Sequence, residues 1–318
     1  MVSQLINYIK KSKLVLIICH IRPDGDSLGS GFALKKIAES FGKRVDFVCD
    51  SDKPAHYEFL PDYSELNNIK YSDKNSKYDL VIAVDCGDES RMGKYYSQFK
   101  KAKVSVNIDH HITNNNFGAV AYVYPDYSST CELIYDMIAE DYKIDKTVAT
   151  YLMLGISTDT GHFRHNNTSE NTMKVASKLL ACGADMQFII NGVYKNNTKN
   201  KLDLIAKAIN SFRFFHNGEI VVITLTKKDM ESCSCTLADT EGIIDYGMSI
   251  GSVQVAICMS EQNVRSYKVS FRSKSVDVAQ SAMVFGGGGH KLASGCVVNG
   301  YYEDVVDKVV KSVTDTMD

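Results

Sequence analysis

Three short apolar runs in this chain, LVLIIC at 14–19, LVIAV at 80–84 and VSVNI at 104–108, each stop on residues able to bind a metal. They run into His20, into Asp85, and into Asp109 followed by His110 and His111. Apolar runs without polar alternation fit strands of a largely parallel sheet covered on both faces. In open parallel sheets ligands bind in the crevice beyond the carboxyl ends of the strands, so these side chains can converge although they are spread from residue 20 to residue 111. Asp159 in GISTDTG follows a helical stretch and precedes a glycine, and it is a fourth candidate for the same crevice.

Around these runs the spacing predicts helices over 27–40, 130–142, 147–157 and 171–182, with Gly42 placed to end the first and a further strand over 45–49. The first part is therefore α/β. The polar stretch VYKNNTKNK at 193–201 marks a junction, with a periodic segment over 202–212 behind it. Beyond the junction the pattern predicts a strand over 219–226 and a hairpin pair over 253–259 and 267–272 around EQNVRS. A helix over 278–285, a GGGGH loop, a strand over 295–298 and a last helix from Tyr301 complete a smaller α/β domain with a mixed sheet. The expected organisation is residues 1–192, a linker over 193–212, and residues 213–318.

At 318 residues, two units of this size each have room for a core. The 36 basic and 38 acidic residues leave a net charge of −2 with no Lys/Arg block, which argues against duplex nucleic acid as a partner and leaves a small or short phosphorylated ligand. Apolar runs are too short for a membrane span, and no signal-peptide core opens the chain, so a cytoplasmic location without membrane association is the expectation. Nine cysteines scattered through strand-like and helix-like stretches fit reduced, mostly buried thiols. No partner protein is legible, and a homodimer is left open.

In HIRPDGDSLG the proline and glycine read as a tight turn that presents His20, Asp24 and Asp26. If the four segments converge, the ligand set is His20, Asp24, Asp26, Asp85, His110 and Asp159. That is too many for one ion. Carboxylates with imidazoles and no thiolate suit Mn²⁺ best, with Mg²⁺, Fe²⁺ or Co²⁺ as substitutes. Two ions roughly 3.5 to 4 Å apart that share a carboxylate can bind a hydroxide as nucleophile and clamp a phosphate in line. In the second domain Arg272 ends a strand and Gly286 to Gly289 directly precede His290 and Lys291. Arginine offers a bidentate phosphate contact, and successive glycine N–H groups can form an anion-binding concavity. Neither a Walker P-loop nor a dinucleotide GxGxxG frame is present.

HIRPDGDSLGS, VDCGD, NIDHH and STDTGHF, followed by FRSKSVDVA and GGGGHKLASG, resemble the DHH phosphoesterase family across nearly the whole chain. The resemblance is to members with a C-terminal DHHA1 domain, similar to bacterial nanoRNase/pAp phosphatases and stand-alone cyclic-di-AMP phosphodiesterases. It implies two Mn²⁺ per chain, with His20, Asp24 and Asp85 on one and Asp26, Asp85, His110 and Asp159 on the other, Asp85 being the bridge. Asp109 would orient the loop or an imidazole, and His111 would face the scissile phosphate. Arg272, Ser273, Gly287, Gly288, Gly289, His290 and Lys291 would grip the substrate's other phosphate, in a cleft between the domains. The activity implied is hydrolysis of very short oligonucleotides such as pApA to mononucleotides, and of 3′-phosphoadenosine 5′-phosphate. Cyclic-di-AMP hydrolysis is the alternative within the same chemistry. Inorganic pyrophosphatase is a weaker match because its second domain lacks the GGGGH loop, and an inactive nucleotide-binding regulator does not explain why every ligand type is present. With 18 tyrosines and no tryptophan, any base stacking falls to Tyr, Phe or His.

Overall fold

The computed structural model describes residues 4–71 and 77–317. They fall into two compact units, Met1–Asn196 and Asn197–Asp318. The division lies a few residues beyond the junction expected at 192, and the helical segment expected as a linker packs within the second unit.

In the first unit, strands β1 (Leu14–Cys19), β2 (Arg44–Val48), β3 (Leu80–Val84), β4 (Val104–Asp109) and β5 (Val120–Val123) form an all-parallel sheet in the order β2-β1-β3-β4-β5. Helices α1 (Leu5–Lys11), α2 (Gly25–Ser40), α3 (Tyr96–Lys101), α4 (Thr130–Ile138), α5 (Lys146–Asp159), α6 (Glu170–Ala181) and α7 (Met186–Ile189) accompany it. Every residue of β1 and β3 is buried, because both faces are covered. Val15, Ile17 and Ile82 pack with Leu28 and Phe32 of α2 and with Leu152 and Ile156 of α5. On the other face Leu16, Ile18 and Val81 pack with Met92, Phe99 and Phe117. This strand order reverses direction between β1 and β3, which opens the crevice at their carboxyl ends.

Several elements depart from expectation. Helix α2 begins at Gly25, not at residue 27: Asp24 caps it, accepting from the N–H groups of Asp26 and Ser27 (both 3.1 Å), while Ser27 Oγ accepts from the Asp24 N–H at 2.9 Å. The Pro-Asp-Gly-Asp stretch is thus a helix cap and first turn. Helix α4 stops at Ile138, where acidic Glu140 and Asp141 oppose continuation towards the negative end of the helix dipole. The short strand β5, with all four residues half-buried, and the helix α1 were not anticipated.

The second unit holds β6 (Arg213–Phe215), β7 (Ile220–Leu225), β8 (Val255–Asn263), β9 (Ser266–Ser273), β10 (Gly288–His290) and β11 (Ala293–Asn299). The sheet order is β10-β11-β9-β8-β7-β6, antiparallel except for the β7–β8 pair. Its helices are α8 (Lys199–Asn210), α9 (Lys227–Ser232), α10 (Ile244–Met248), α11 (Val278–Met283) and α12 (Tyr302–Met317). One sheet face, with Val222, Ile257, Val269 and Phe271, packs on α11 and α12 through Val278, Val305 and Val309. On the other face Val221, Ile223, Ala256 and Cys258 pack on α8 and α10 through Leu204, Ala208 and Ile244. Strands β9, β11 and β10 contribute no buried apolar residue to that second core; α10 borders β9 as well as β7 and β8, and Lys268 and Arg272 on that face of β9 are exposed. Part of the expected GGGGH loop is the edge strand β10, and β6, α9 and α10 were not anticipated. All nine cysteines are free thiols, seven of them buried. Among the described residues no helix is long and apolar enough to cross a membrane.

Helices α2, α4 and α5 meet closely at Gly155, where an added Cβ would lie 2.3 Å from Cys131 Sγ and 2.4 Å from Asp26 Oδ1. Overpacking of this kind costs about 1–3 kcal/mol. Gly155→Ala should therefore lower unfolding stability by that amount in a urea titration with an unchanged m-value. A change below about 0.5 kcal/mol would mean the helices have room to separate.

Candidate active site

The parallel register sets the site. Cys19 pairs with Val84, and Val84 with Ile108, so the residues that follow, His20, Asp85 and Asp109, leave the sheet side by side. Asp85 has a left-handed backbone (φ 56°), with its N–H held at 2.9 Å by the Ile108 carbonyl. A non-glycine residue in that region costs of order 1–3 kcal/mol. The turn aims the carboxylate back over the strand ends, where Asp24 and Asp26 arrive from the first turn of α2 and Asp159 from the last residue of α5.

Asp85 is the centre of this cluster. Its Oδ2 lies 3.4 Å from His20 Nε2, and its Oδ1 lies 3.7 Å from both His110 Nε2 and His111 Nδ1. Asp24 Oδ2 lies 3.6 Å from His20 Nε2. His110 Nε2 is 3.1 Å from Asp159 Oδ2 and 4.0 Å from Asp26 Oδ2. Two sets emerge, His20 with Asp24 and Asp85, and Asp26 with His110 and Asp159, each with its ligand atoms within 4.8 Å of one another. A third grouping at that spacing is Asp85, His110 and His111.

Outer contacts orient the imidazoles. His110 Nδ1 donates to the Tyr127 carbonyl at 3.2 Å, which leaves the Nε2 lone pair towards the carboxylates. His20 Nδ1 lies 2.8 Å from the Ile21 carbonyl and 3.1 Å from Arg91 Nη2. It can serve only one of them, as donor to the first or acceptor from the second, and the first is the form that offers Nε2 to a cation. His111 Nδ1 is 2.7 Å from Asp109 Oδ1, while Asp109 Oδ2 accepts from Asn114 Nδ2 at 2.7 Å. Asp109 is fully buried, and the His111 side chain is 37% exposed.

Asp26 is anchored differently. Its two oxygens accept from the backbone N–H groups of Thr130 (2.7 Å) and Cys131 (2.9 Å), the start of α4. Unpaired N–H groups and the positive end of the helix dipole favour a carboxylate there. Thr130 Oγ1 in turn donates to Asp85 Oδ1 at 3.3 Å. Sequence reasoning missed Thr130, Asn114 and Arg91 as participants. Ser129, the cap of α4, was a local signal that a helix opens at Thr130, but nothing local shows that its first turn meets Asp26.

The electrostatics follow from crowding. Burial pushes the Asp26 carboxyl well above the ordinary range, and the neighbouring Asp159 and Asp85 push it further. Burial likewise raises Asp159 to about 6, although its hydrogen bond to His110 pulls the other way. Burial opposes a charge on His20, but the bonds to Asp24 and Asp85 outweigh it and raise the imidazole to about 11. For His110 burial is again outweighed, by Asp159, Asp26 and Asp85. The bond to Asp109 raises His111. Burial works against the Asp109 charge, yet the contacts with His111 and Asn114 hold it low. Carboxylates packed this tightly demand positive charge. Four carboxylates and three imidazoles, with no thiolate in any of the groups, fit hard or borderline divalent cations.

In the second unit, Arg272 and His290 both stand opposite Ala293, on β9 and β10, and share one sheet face across it. Both are exposed, as is Lys291. Ser273 points the other way: it is buried, and its Oγ accepts from the Ser275 N–H at 3.1 Å and the Val276 N–H at 2.7 Å. The glycine run serves packing as well as exposure. The Gly286 and Gly287 N–H groups cap α11 by donating to the Met283 and Ala282 carbonyls, both at 3.0 Å. Added Cβ atoms at Gly287 and Gly289 would lie 2.2 Å from the Gly295 carbonyl and 2.6 Å from the Ala293 carbonyl. Gly288 has open space. A concavity made from the whole run is therefore corrected to an exposed edge at Gly288–His290.

Parallel strands ending in a cluster of carboxylates and imidazoles, joined to a mixed-sheet domain with an open cationic face, describe a metal-dependent hydrolase of phosphate esters. The profile of the DHH family, N-terminal domain, matches residues 14–156, and that of the DHHA1 domain matches residues 230–318. The chain belongs to the DHH family of phosphoesterases and carries a DHHA1 domain. It is 30% identical over 290 residues, 90% of each chain, to the probable bifunctional oligoribonuclease and PAP phosphatase NrnA of Streptococcus mutans. It is 30% identical over 312 residues, 94% of this chain and 90% of the other, to bifunctional oligoribonuclease and PAP phosphatase NrnA of Thermus thermophilus. Among solved structures, an exopolyphosphatase-related protein from Bacteroides fragilis shares the fold at a TM-score of 0.89, with 23% identity over 99% of this chain and 97% of the other.

A cation that binds these residues only in the folded chain stabilises it by mass action. A divalent ion at about a hundred times its Kd should add about 2.7 kcal/mol, read as a rise in Tm during titration of Mn²⁺ or Mg²⁺ into EDTA-treated protein. Asp85→Asn should abolish most of that rise. An identical rise in the variant would remove Asp85 from the cation site.

Proposed function

We propose that this chain is a Mn²⁺-dependent phosphoesterase that hydrolyses very short oligoribonucleotides to mononucleotides and removes the 3′-phosphate of 3′-phosphoadenosine 5′-phosphate. The observation that carries the reading is the position of Asp85, whose two oxygens reach the two imidazoles, His20 and His110, of two separate ligand sets. His20, Asp24 and Asp85 would hold one ion, and Asp26, Asp85, His110 and Asp159 the other. When bound, such a pair supplies a deprotonated water at neutral pH and positive charge against the phosphate oxygens.

The chain's own groups do the rest. Asp109 fixes one ring nitrogen of His111 at 2.7 Å, so the other is free to give a proton to the leaving oxygen or to polarise the phosphate. Thr130 and the α4 N–H groups hold Asp85 and Asp26 in place. Arg272, His290 and Lys291, with the exposed Gly288–His290 edge, would bind a second phosphate of the substrate, and Ser273 would set the turn behind Arg272. Acting on both a diester and a monoester requires only that the scissile phosphate be presented with a second phosphate at a fixed distance. Both substrates satisfy that condition, and the names of the Streptococcus and Thermus relatives carry both activities.

Purified chain with Mn²⁺ should convert pApA to AMP and 3′-phosphoadenosine 5′-phosphate to AMP plus phosphate, assayed beside cyclic-di-AMP and pyrophosphate. Asp85→Ala should abolish turnover, and full activity in that variant would sink the two-ion assignment. Arg272→Ala removes a charge-assisted phosphate contact worth about 1.5–3 kcal/mol, or roughly 10- to 150-fold in kcat/KM. A loss under threefold would show that Arg272 does not touch substrate. Turnover confined to cyclic-di-AMP would move the substrate assignment to that ligand.

A further inference from the structure

Strand β9 alternates without exception: Tyr267, Val269, Phe271 and Ser273 are buried, while on the other face, which α10 borders, Lys268 and Arg272 are exposed and Ser266 and Ser270 half-buried. The opposite neighbours of that row on β11 and β8 are Val297 and Ser260 for Lys268, Gly295 and Cys258 for Ser270, and Ala293 and Ala256 for Arg272. None is acidic. Among the described residues, Lys268 has no ion pair, the Ser270 hydroxyl has no hydrogen-bond partner, and the Arg272 guanidinium bonds only its neighbour's carbonyl, Phe271 O at 3.2 Å. Some cations elsewhere are paired, Lys36, Lys70, Lys94, Lys103 and Arg213 each sitting within 4.0 Å of a carboxylate, while others among the described residues, such as Lys308 and Lys311, have no ion pair.

A single unpaired lysine on a strand is ordinary surface chemistry. Here three donors without side-chain partners follow one another along a single strand face. Same-face residues of a strand repeat every about 6.8 Å, a step comparable with the separation of adjacent phosphates in an extended single strand. Beside the row, Ala293 and Gly295 raise no side chain that would keep a backbone away, and half-exposed Val297 offers an apolar contact next to Lys268. Double-stranded nucleic acid presents its phosphates along a groove, whereas a short single strand can lie flat on such a surface.

We propose that Arg272, Ser270 and Lys268 form a ladder of donors for successive phosphates of a single-stranded oligoribonucleotide. Lys268 is then a specificity-determining residue for substrates of three and four nucleotides. The proposal rests on the phosphoesterase reading above. A phosphate that is terminal in a dinucleotide or in 3′-phosphoadenosine 5′-phosphate, and held by Arg272, is internal in a longer strand. The next phosphates fall on Ser270 and Lys268, so chain length is measured in strand residues. The sequence already shows the pattern, SYKVSFRS, as polar–apolar alternation, but alternation alone does not distinguish a solvated face from an open one.

The test compares wild type, Lys268→Gln and Lys268→Arg on a tetranucleotide and on 3′-phosphoadenosine 5′-phosphate. The ratio of kcat/KM for the two substrates should fall about 5- to 10-fold in Lys268→Gln, mainly through KM, and recover in Lys268→Arg. An unchanged ratio overturns the ladder. A second arm measures binding of a fluorescent oligoadenylate tetramer to the full chain with divalent ions withheld. The slope of log K against log salt should drop by about 0.7 in Lys268→Gln, the value for one lost phosphate contact on a single strand. An equal slope overturns the ladder whatever the catalysis. If wild type turns over neither substrate, the phosphoesterase reading fails, and the salt slope still decides the role of Lys268.

Discussion

Like charges crowded at the end of a buried sheet are the constraint around which the first unit is organised. Asp24, Asp26, Asp85 and Asp159 meet there; Asp26 and Asp85 are enclosed and must be compensated by something other than solvent, while Asp24 and Asp159 keep partial access to it. The chain uses three means. Imidazoles face Asp85 from both sides, the first turn of α4 supplies two N–H groups to Asp26, and Asp24 accepts from the first turn of its own helix. What these means leave uncompensated is the affinity for a divalent cation. The strained backbone at Asp85 belongs to the same account, since a relaxed β conformation would carry its carboxylate away from the strand ends.

Much of this was legible in the sequence because both the strands and their terminal ligands are local patterns. LVLIIC, LVIAV and VSVNI could be read as buried parallel strands without knowing their partners, and a parallel sheet puts all their carboxyl ends on one edge. The contacts that span long stretches of chain were not legible. Asp26 meets Thr130, over a hundred positions away, and no periodicity announces that meeting. Asn114 stands in NNN, where composition suggests only a polar loop, yet its amide donates to Asp109. HIRPDGDSLG was misread in a specific way. Its proline and glycine imply a free turn, but the same residues suit a helix cap and first turn, and only packing against the site decides between them.

The second unit shows how one composition supports two purposes. GGGGH invites the reading that every glycine exposes an N–H to an anion, yet two of those N–H groups are spent on capping α11, and two of the glycines are small because β11 passes behind them. Likewise Ser294 donates from its buried hydroxyl to the Val278 carbonyl at 2.6 Å and ties the start of α11 to the sheet. The apolar core of the other face ends at β8, so Arg272 on β9 stands beyond it with its side chain exposed.

The anchoring of Asp26 has a bearing on how such a protein can decay. Not every site residue is enclosed, since the Asp24 and His111 side chains reach solvent. Asp26 is fully enclosed and closes the corner where α2 and α4 meet, so its loss would strand two backbone donors in the interior. A descendant drifting into a non-enzymatic role would shed its other ligands first and keep this aspartate. Its presence in a distant sequence then attests to the scaffold, and only the rest of the cluster attests to the chemistry.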